Sequence, residues 1–171
     1  VRAIDVGEVR GDTIEPRVFI LCCGAGLDAL VTQNVEPQRE MKRRLGVLMF
    51  WLVGIRDGWS YRGQRAILDF GDTRVRRRVI LADIANAQLY AGIVRMAPEA
   101  KVDDGLLDVV IFKGTGVWTT AWHLIRIVFG AHLRDPQVET WRVPSLKIFG
   151  KKLPVQVDAE PVGFAPVEIR V

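Results

Sequence analysis

The chain predicts a mainly β fold, an antiparallel β-sandwich with two or three inserted α-helices, as a single domain over residues 1–171. Three observations lead there. Short runs rich in Val, Ile and Phe recur along the whole length, roughly eight to ten of them, separated by Gly, Asp and Pro. Only two segments keep a helical period for several turns. The strict alternation of strand and helix that a parallel α/β sheet requires does not occur. With 171 residues, 49% of them apolar, the chain has material for one substantial core.

Ile4, Val6 and Val9 mark a first strand, and Gly11-Asp12 a turn. Val18 to Cys23 reads as one continuous apolar strand buried on both faces, ended by Gly24 and Gly26. Asn34 to Pro37 reads as a helix start, and Arg39 through Ile55 as a helix that is polar early and apolar almost all round later. Gln64 to Phe70 and Thr73 to Asn86 flank Gly71-Asp72, a two-residue hairpin signal. Leu106 to Phe112 is a further strand. Val117 to Phe129 is a helix with Trp118, Trp122, Ile125 and Phe129 on one face and Gly130 as its stop. Trp141 to Phe149 and a last pair of runs, Leu153 to Val157 and Val167 to Val171, complete the series.

The net charge is +4, and the basic residues are clustered at Lys42-Arg43-Arg44 and at Arg74 with Arg76-Arg77-Arg78. Such clusters suit solvated faces, anionic headgroups or phosphates, and no nucleic-acid partner is expected. Cys22 and Cys23 are adjacent in an apolar stretch, which fits neither a disulfide framework nor a zinc site. They read as buried, reduced packing residues in a cytoplasmic protein. No signal peptide is visible, and the longest apolar run, Leu45 to Ile55, has about half the length of a membrane crossing. Because the chain opens on Val1 within a strand-like stretch, it reads as a fragment of something longer.

Several groups carry chemistry. Asp158 and Glu160 place two carboxylates on a turn between strand-like runs, either a positioned proton acceptor or a solvated β-turn. Gly24-Ala25-Gly26-Leu27-Asp28-Ala29 follows a strand but lacks the third glycine of a dinucleotide-binding turn; Asp28 faces a ligand or caps a helix. Asp103, Asp104 and Asp108 surround Gly105, an oxygen-rich loop suited to a hard cation or an ordinary acidic turn. His123 and His132 read as packing or capping residues. Serine-nucleophile motifs and a lysine-ended phosphate loop are absent.

In order, Phe19 with Gly24 to Ala29, Lys42 to Gly46, Asn86 with Tyr90-Ala91-Gly92, Ala97-Pro98-Glu99-Ala100, Asp103 to Asp108, Gly130-Ala131-His132 and Asp158-Ala159-Glu160-Pro161 resemble one family. It is the C-terminal half of the bacterial diacylglycerol kinase-like and sphingosine kinase-like lipid kinases. The resemblance implies transfer of the γ-phosphate of ATP, with Mg2+, to a lipid hydroxyl. The chain would be the acceptor-side β-sandwich, inactive alone, with its own N-terminal nucleotide-binding domain as partner and peripheral contact with the inner membrane face. It implies Asp158 as general base and Glu160 as supporting carboxylate, Asp28 and Gly26 at the substrate, and Asp104 with Lys101 and Leu106 carbonyls at a structural Mg2+. The family's Asp-Gly-Glu motif has Ala159 in its middle, strained by about 1 kcal/mol if that position needs a positive φ. Its second successive glycine is Ile93. An NAD kinase-related domain and a non-catalytic lipid- or membrane-binding β-sandwich are the alternatives.

Overall fold

A computed structural model describes residues 3–12, 14–35, 37, 47–90 and 94–171, with backbone alone for 47–52 and 55. The Lys42 to Gly46 stretch, the cluster at Lys42 to Arg44 and the Ala91 to Ile93 segment therefore lie outside the described residues.

Among the described residues the chain runs β1 (Gly7–Gly11), β2 (Ile14–Phe19), β3 (Cys22–Gly26), α1 (Leu27–Val35), α2 (Val47–Ser60), β4 (Gln64–Asp69) and β5 (Arg74–Ala85). It continues through β6 (Leu89–Tyr90), β7 (Val94–Arg95), β8 (Leu107–Lys113), α3 (Val117–Val128) and a 3-10 turn at His132–Arg134. It ends with β9 (Val138–Val143), β10 (Ser145–Gly150), β11 (Pro154–Val157), β12 (Glu160–Phe164) and β13 (Val167–Arg170).

Eleven strands form one antiparallel sheet, in the order β12-β11-β3-β5-β4-β10-β13-β1-β2, with β8 on β5 and β9 on β8. This is the mainly antiparallel β fold that the patterning predicts. The sheet curls until its two ends meet, where Arg17 of β2 pairs with Glu160 of β12 at 2.7 Å. Inside lie Val9, Phe19, Leu68, Ile84, Leu107, Ile111, Ile148, Val155 and Ile169 with their neighbours. Burying each of the larger side chains contributes about 1.5–3 kcal/mol.

Strand β5 organises the rest. Its first half pairs with β4 across the Gly71 turn, and its second half lies against both β3 and β8. The register shifts between Val79 and Leu81, a bulge that moves the core-facing set from Val75 and Val79 to Ala82 and Ile84. Asp83 consequently faces away from the main core. On that outer side Ile80 packs with Leu27, Val31, Val35, Val53 and Tyr61, so α1 and α2 cover it. Asn34 of α1 donates to Asp57 of α2 at 2.7 Å, tying the two helices together.

Three local expectations need correction. Val18 to Cys23 is two strands, because Ile20 and Leu21 form a turn with both side chains half-exposed. Asn34 does not start a helix but sits in the last turn of α1, which begins directly after Gly26. Gly26 has φ +104 and lies so close to the Ile80 carbonyl that a Cβ would stand 2.5 Å from it, hence the abrupt strand-to-helix bend. Ile4 and Val6 precede β1 and are exposed. Helix α3 occupies its expected span, but its Trp118, Trp122, Ile125 and Phe129 face solvent, while Thr120, His123 and Ile127 are buried. Among the described residues no helix is long and apolar enough to cross a membrane.

Candidate functional site

Asp158 and Ala159 form the two-residue turn between β11 and β12, both with positive φ, 45° and 66°. That conformation suits a two-residue hairpin, and Glu160 opens the next strand. The Asp158 carboxylate reaches back to the β2–β3 turn. Its Oδ2 accepts the Ile20 amide at 2.8 Å, and its Oδ1 accepts the Leu21 and Cys22 amides, each at 3.0 Å. This bonding breaks the apolar run at Ile20-Leu21, since the turn's amides point at a side chain instead of a ladder. Of the carboxylate's roughly four acceptor sites, three are filled by these amides. Glu160 pairs with Arg17 and is exposed.

Asp28 sits in the first turn of α1, and its carboxylate lies over Gly24, which β3 presents without a side chain. A Cβ on Gly24 would stand 2.2 Å from Asp28 Oδ2 and 2.5 Å from Gln156 Nε2. The Tyr90 hydroxyl donates to Asp28 Oδ1, and Gln156 Nε2 donates to Oδ2 at 2.7 Å. Burial pushes the Asp28 carboxyl upward, opposed by those two donors. Gln156 is itself 1% exposed, and its Oε1 accepts the Ala159 amide at 2.7 Å. One buried amide thus bridges the Asp158 turn, beside Cys22 at the start of β3, and the Asp28 carboxylate, which folds back over Gly24 in the middle of that strand, so the structure links these two sequence-predicted groups. Gly26 contributes by backbone, turning the chain so that Asp28 faces β3.

The acidic loop is elsewhere. Asp104 Oδ1 accepts the Leu106 amide at 3.1 Å, and its Oδ2 pairs with Arg142. Asp5 accepts the Gly105 amide at 2.7 Å and donates its own amide to Val102. Asp108 lies 3.6 Å from Arg142; burial raises its carboxyl, with Arg142 opposing and Asp104 and Glu99 adding. Among the described residues no three His, Cys, Asp or Glu side chains are grouped to hold a metal ion. The Asp104 carboxylate and the loop's carbonyls at Lys101 and Leu106 are hard oxygens of the type Mg2+ takes, and Asp104 is already engaged by Arg142. An open cleft of about 370 Å³ beside this loop is lined by Pro98, Glu99, Asp108, Leu133, Trp141 and Arg142 among others.

Three groups escaped the sequence reading. Gln156 lies between Val155 and Val157, where alternation predicts a solvated position, and it is buried because α1 covers that face of β11 and Gly24 of β3 leaves room for its amide. Asp83 is a lone acid within the apolar run Val79 to Ala85, and that is the signal that marks it, since an aspartate is almost never fully buried without a purpose. Asp5 offered no signal. Cys22 and Cys23 are free and buried, with thiols pushed far up, by burial first and then by Asp83, Asp28 and Asp158. His123 and His132 hydrogen-bond the Lys113 and Met96 carbonyls at 2.9 Å, in keeping with packing roles.

A curled antiparallel domain of this topology, with an acidic hairpin and a strand-end aspartate on one side, defines the β-sandwich-like domain of the lipid kinase and NAD kinase type. The model of the YegS C-terminal NAD kinase beta sandwich-like domain matches residues 22–171, and the chain belongs to that family. A diacylglycerol kinase of Bacillus subtilis (strain 168) is 23% identical over 168 residues, 98% of this chain and 53% of that protein. A Chromohalobacter salexigens protein named "Probable lipid kinase YegS-like" is 28% identical over 161 residues, 94% of this chain and 50% of that protein. A crystal structure of a diacylglycerol kinase from Bacillus anthracis str. Sterne superposes with a TM-score of 0.69 at 20% identity, covering 99% of this chain and 53% of that one, a likeness of fold. The chain therefore spans about half the length of the relatives it matches.

Proposed function

We propose that the chain is the acceptor-side domain of an ATP-dependent lipid kinase, completed by a nucleotide-binding domain in the same polypeptide. One observation carries this reading: Gln156 joins the Asp158 turn to Asp28, so a proton acceptor and a headgroup contact stand on one rigid support. The relatives' names supply the reaction class. Phosphoryl transfer through a loose transition state asks mainly for positioning and charge neutralisation. Asp158, fixed by three backbone amides, keeps an acceptor site on Oδ2 for a lipid hydroxyl, and Glu160 keeps that end of the sheet closed through Arg17. Asp28 orients the headgroup, with Gly26 setting the bend that aims it. ATP, bound by the companion domain, supplies the phosphoryl group, and Mg2+ would be held structurally by Asp104 with the Lys101 and Leu106 carbonyls.

The test is phosphate transfer from labelled ATP to diacylglycerol micelles by the full-length polypeptide. Asp158→Asn should abolish turnover while the protein still melts cooperatively; full retained activity removes Asp158 from the mechanism.

Peripheral membrane contact from the cytoplasmic side belongs to the same proposal. It is supported by the apolar face of α3, where Trp118 and Phe129 are 82% and 80% exposed. Of the arginine cluster on β5, Arg74 and Arg77 are paired with Asp69 and Glu139, while Arg76 is exposed. Co-sedimentation with neutral and with anionic vesicles should show pelleting in both that is stronger with anionic lipid. Loss of pelleting in Trp118→Glu is expected, and no pelleting at all refutes the contact.

A further inference from the structure

Behind Asp28 lies a second acid that the proposed reaction leaves unused. Asp83 is 1% exposed, and neither of its oxygens has a conventional hydrogen-bond partner among the described residues. The Cys22 thiol, a weak donor, is the polar group against it. Its position follows from the ladder. Asp83 stands opposite Gly24 in the β3–β5 pairing, and Gly24 stands opposite Gln156 in the β3–β11 pairing. The bare Gly24 leaves the space that Asp28 Oδ2 fills. Directly opposed residues of an antiparallel pair lie about 5 Å apart at Cβ, so the two carboxyls are neighbours in one desolvated layer. Two like charges in such a layer disfavour each other, and one acid keeps its proton. Asp28 is the better choice for the charge, because Tyr90 and Gln156 both donate to it, whereas Asp83 has no such donors.

We propose that Asp83 holds a proton in the working site and is a positioning residue that limits the pair to one negative charge, on Asp28, which then accepts a hydroxyl of a neutral acylglycerol headgroup. This rests on the kinase reading and narrows it. The pair then carries one negative charge instead of two, and that charge is solvated by the neutral Tyr90 and Gln156 donors, so the pull on an ammonium group is weaker than two bare carboxylates would exert. A neutral, hydroxyl-bearing lipid fits such a site better than a sphingoid base.

The titratable groups that interact with Asp83 are Asp28 from α1, Cys22 and Cys23 from β3 and Tyr90 from β6; across the ladders it stands opposite Gly24 of β3 and Val110 of β8. Burial, with the Asp28 charge adding and the Cys22 thiol opposing, pushes the Asp83 carboxyl up to about 8 from 3.8. Between those values the native chain binds a proton that the unfolded chain lacks. Stability then falls as pH rises, by up to about tenfold in the folding constant per unit, and levels off once the native carboxyl ionises.

The first arm of the test melts the 171-residue chain and Asp83→Asn from pH 4 to about 9.5. The variant's stability relative to wild type should climb through the window between the two values above; a difference that stays flat overturns the proposal. The second arm measures phosphate transfer by the full-length polypeptide to dioctanoylglycerol and to sphingosine. Asp83→Ala should raise KM for dioctanoylglycerol about tenfold with a smaller change in kcat. Asp83→Asn should restore KM and remove its rise above about pH 8. An Asn variant no better than Ala, an unchanged alkaline rise, or preference for sphingosine overturns the proposal. If wild type phosphorylates neither lipid, the kinase reading falls, and the melting arm still judges the proton on Asp83.

Discussion

Replacing Ala159 by glycine should make the chain more stable. Ala159 holds φ 66° in the turn after Asp158, a left-handed conformation that costs a residue with a Cβ about 1–2 kcal/mol. Glycine removes that strain but adds freedom to the unfolded chain, which takes back about 0.4–1 kcal/mol. The difference leaves a net gain of about 0.5–1 kcal/mol. In a domain of this size that raises Tm by about 1–4 °C. The amide that Ala159 gives to Gln156 is retained, so the gain should come without loss of the bridge to Asp28. Urea denaturation of both chains, with the slope checked for constancy, measures the difference. A control sets the sign: Ala29→Gly, inside α1, should destabilise by about 1 kcal/mol or more. If Ala159→Gly is neutral or destabilising while the control behaves, the left-handed turn is not strained and the argument from φ fails.

Two further substitutions probe the joint between the site's halves. Gly24→Ala puts a methyl into space already held by Asp28 and Gln156, and should cost about 1–3 kcal/mol by overpacking, read from thermal melting; a variant as stable as wild type means the carboxylate does not lie there. Gln156→Leu leaves the Ala159 amide and one Asp28 oxygen without their partner, and should cost about 2–4 kcal/mol in chemical denaturation. A loss below about 1 kcal/mol would mean that water replaces the amide on both sides.

Hairpins and buried strands were legible wherever a local rule suffices. Gly71-Asp72 set the β4–β5 turn, the alternation of Val167 and Ile169 set β13, and the spacing of Trp118, Trp122 and Ile125 set α3. The reading failed where a distant group intervenes. Val18 to Cys23 looks like one strand because its residues are apolar, yet a carboxylate from the far end of the chain captures three of its amides. Asn34, read as the opening of a helix start that runs to Pro37, lies instead in the last turn of α1, because Gly26, pressed against the Ile80 carbonyl, already turns the chain into that helix.

The sequence by itself determined that the chain is built mainly of antiparallel strands, where the β4–β5 hairpin turns, and that Asp28 and Asp158 lie in motifs resembling those of lipid kinases, because period, turn chemistry and motif order are properties of near neighbours along the chain. It could not determine that Gln156 joins those two motifs across 128 residues, nor that the bulge in β5 carries Asp83 out of the core and into the layer beside Asp28. Those facts depend on register between strands distant in sequence, where a shift of one residue exchanges the two faces of a sheet. Only the assembled fold fixes that register.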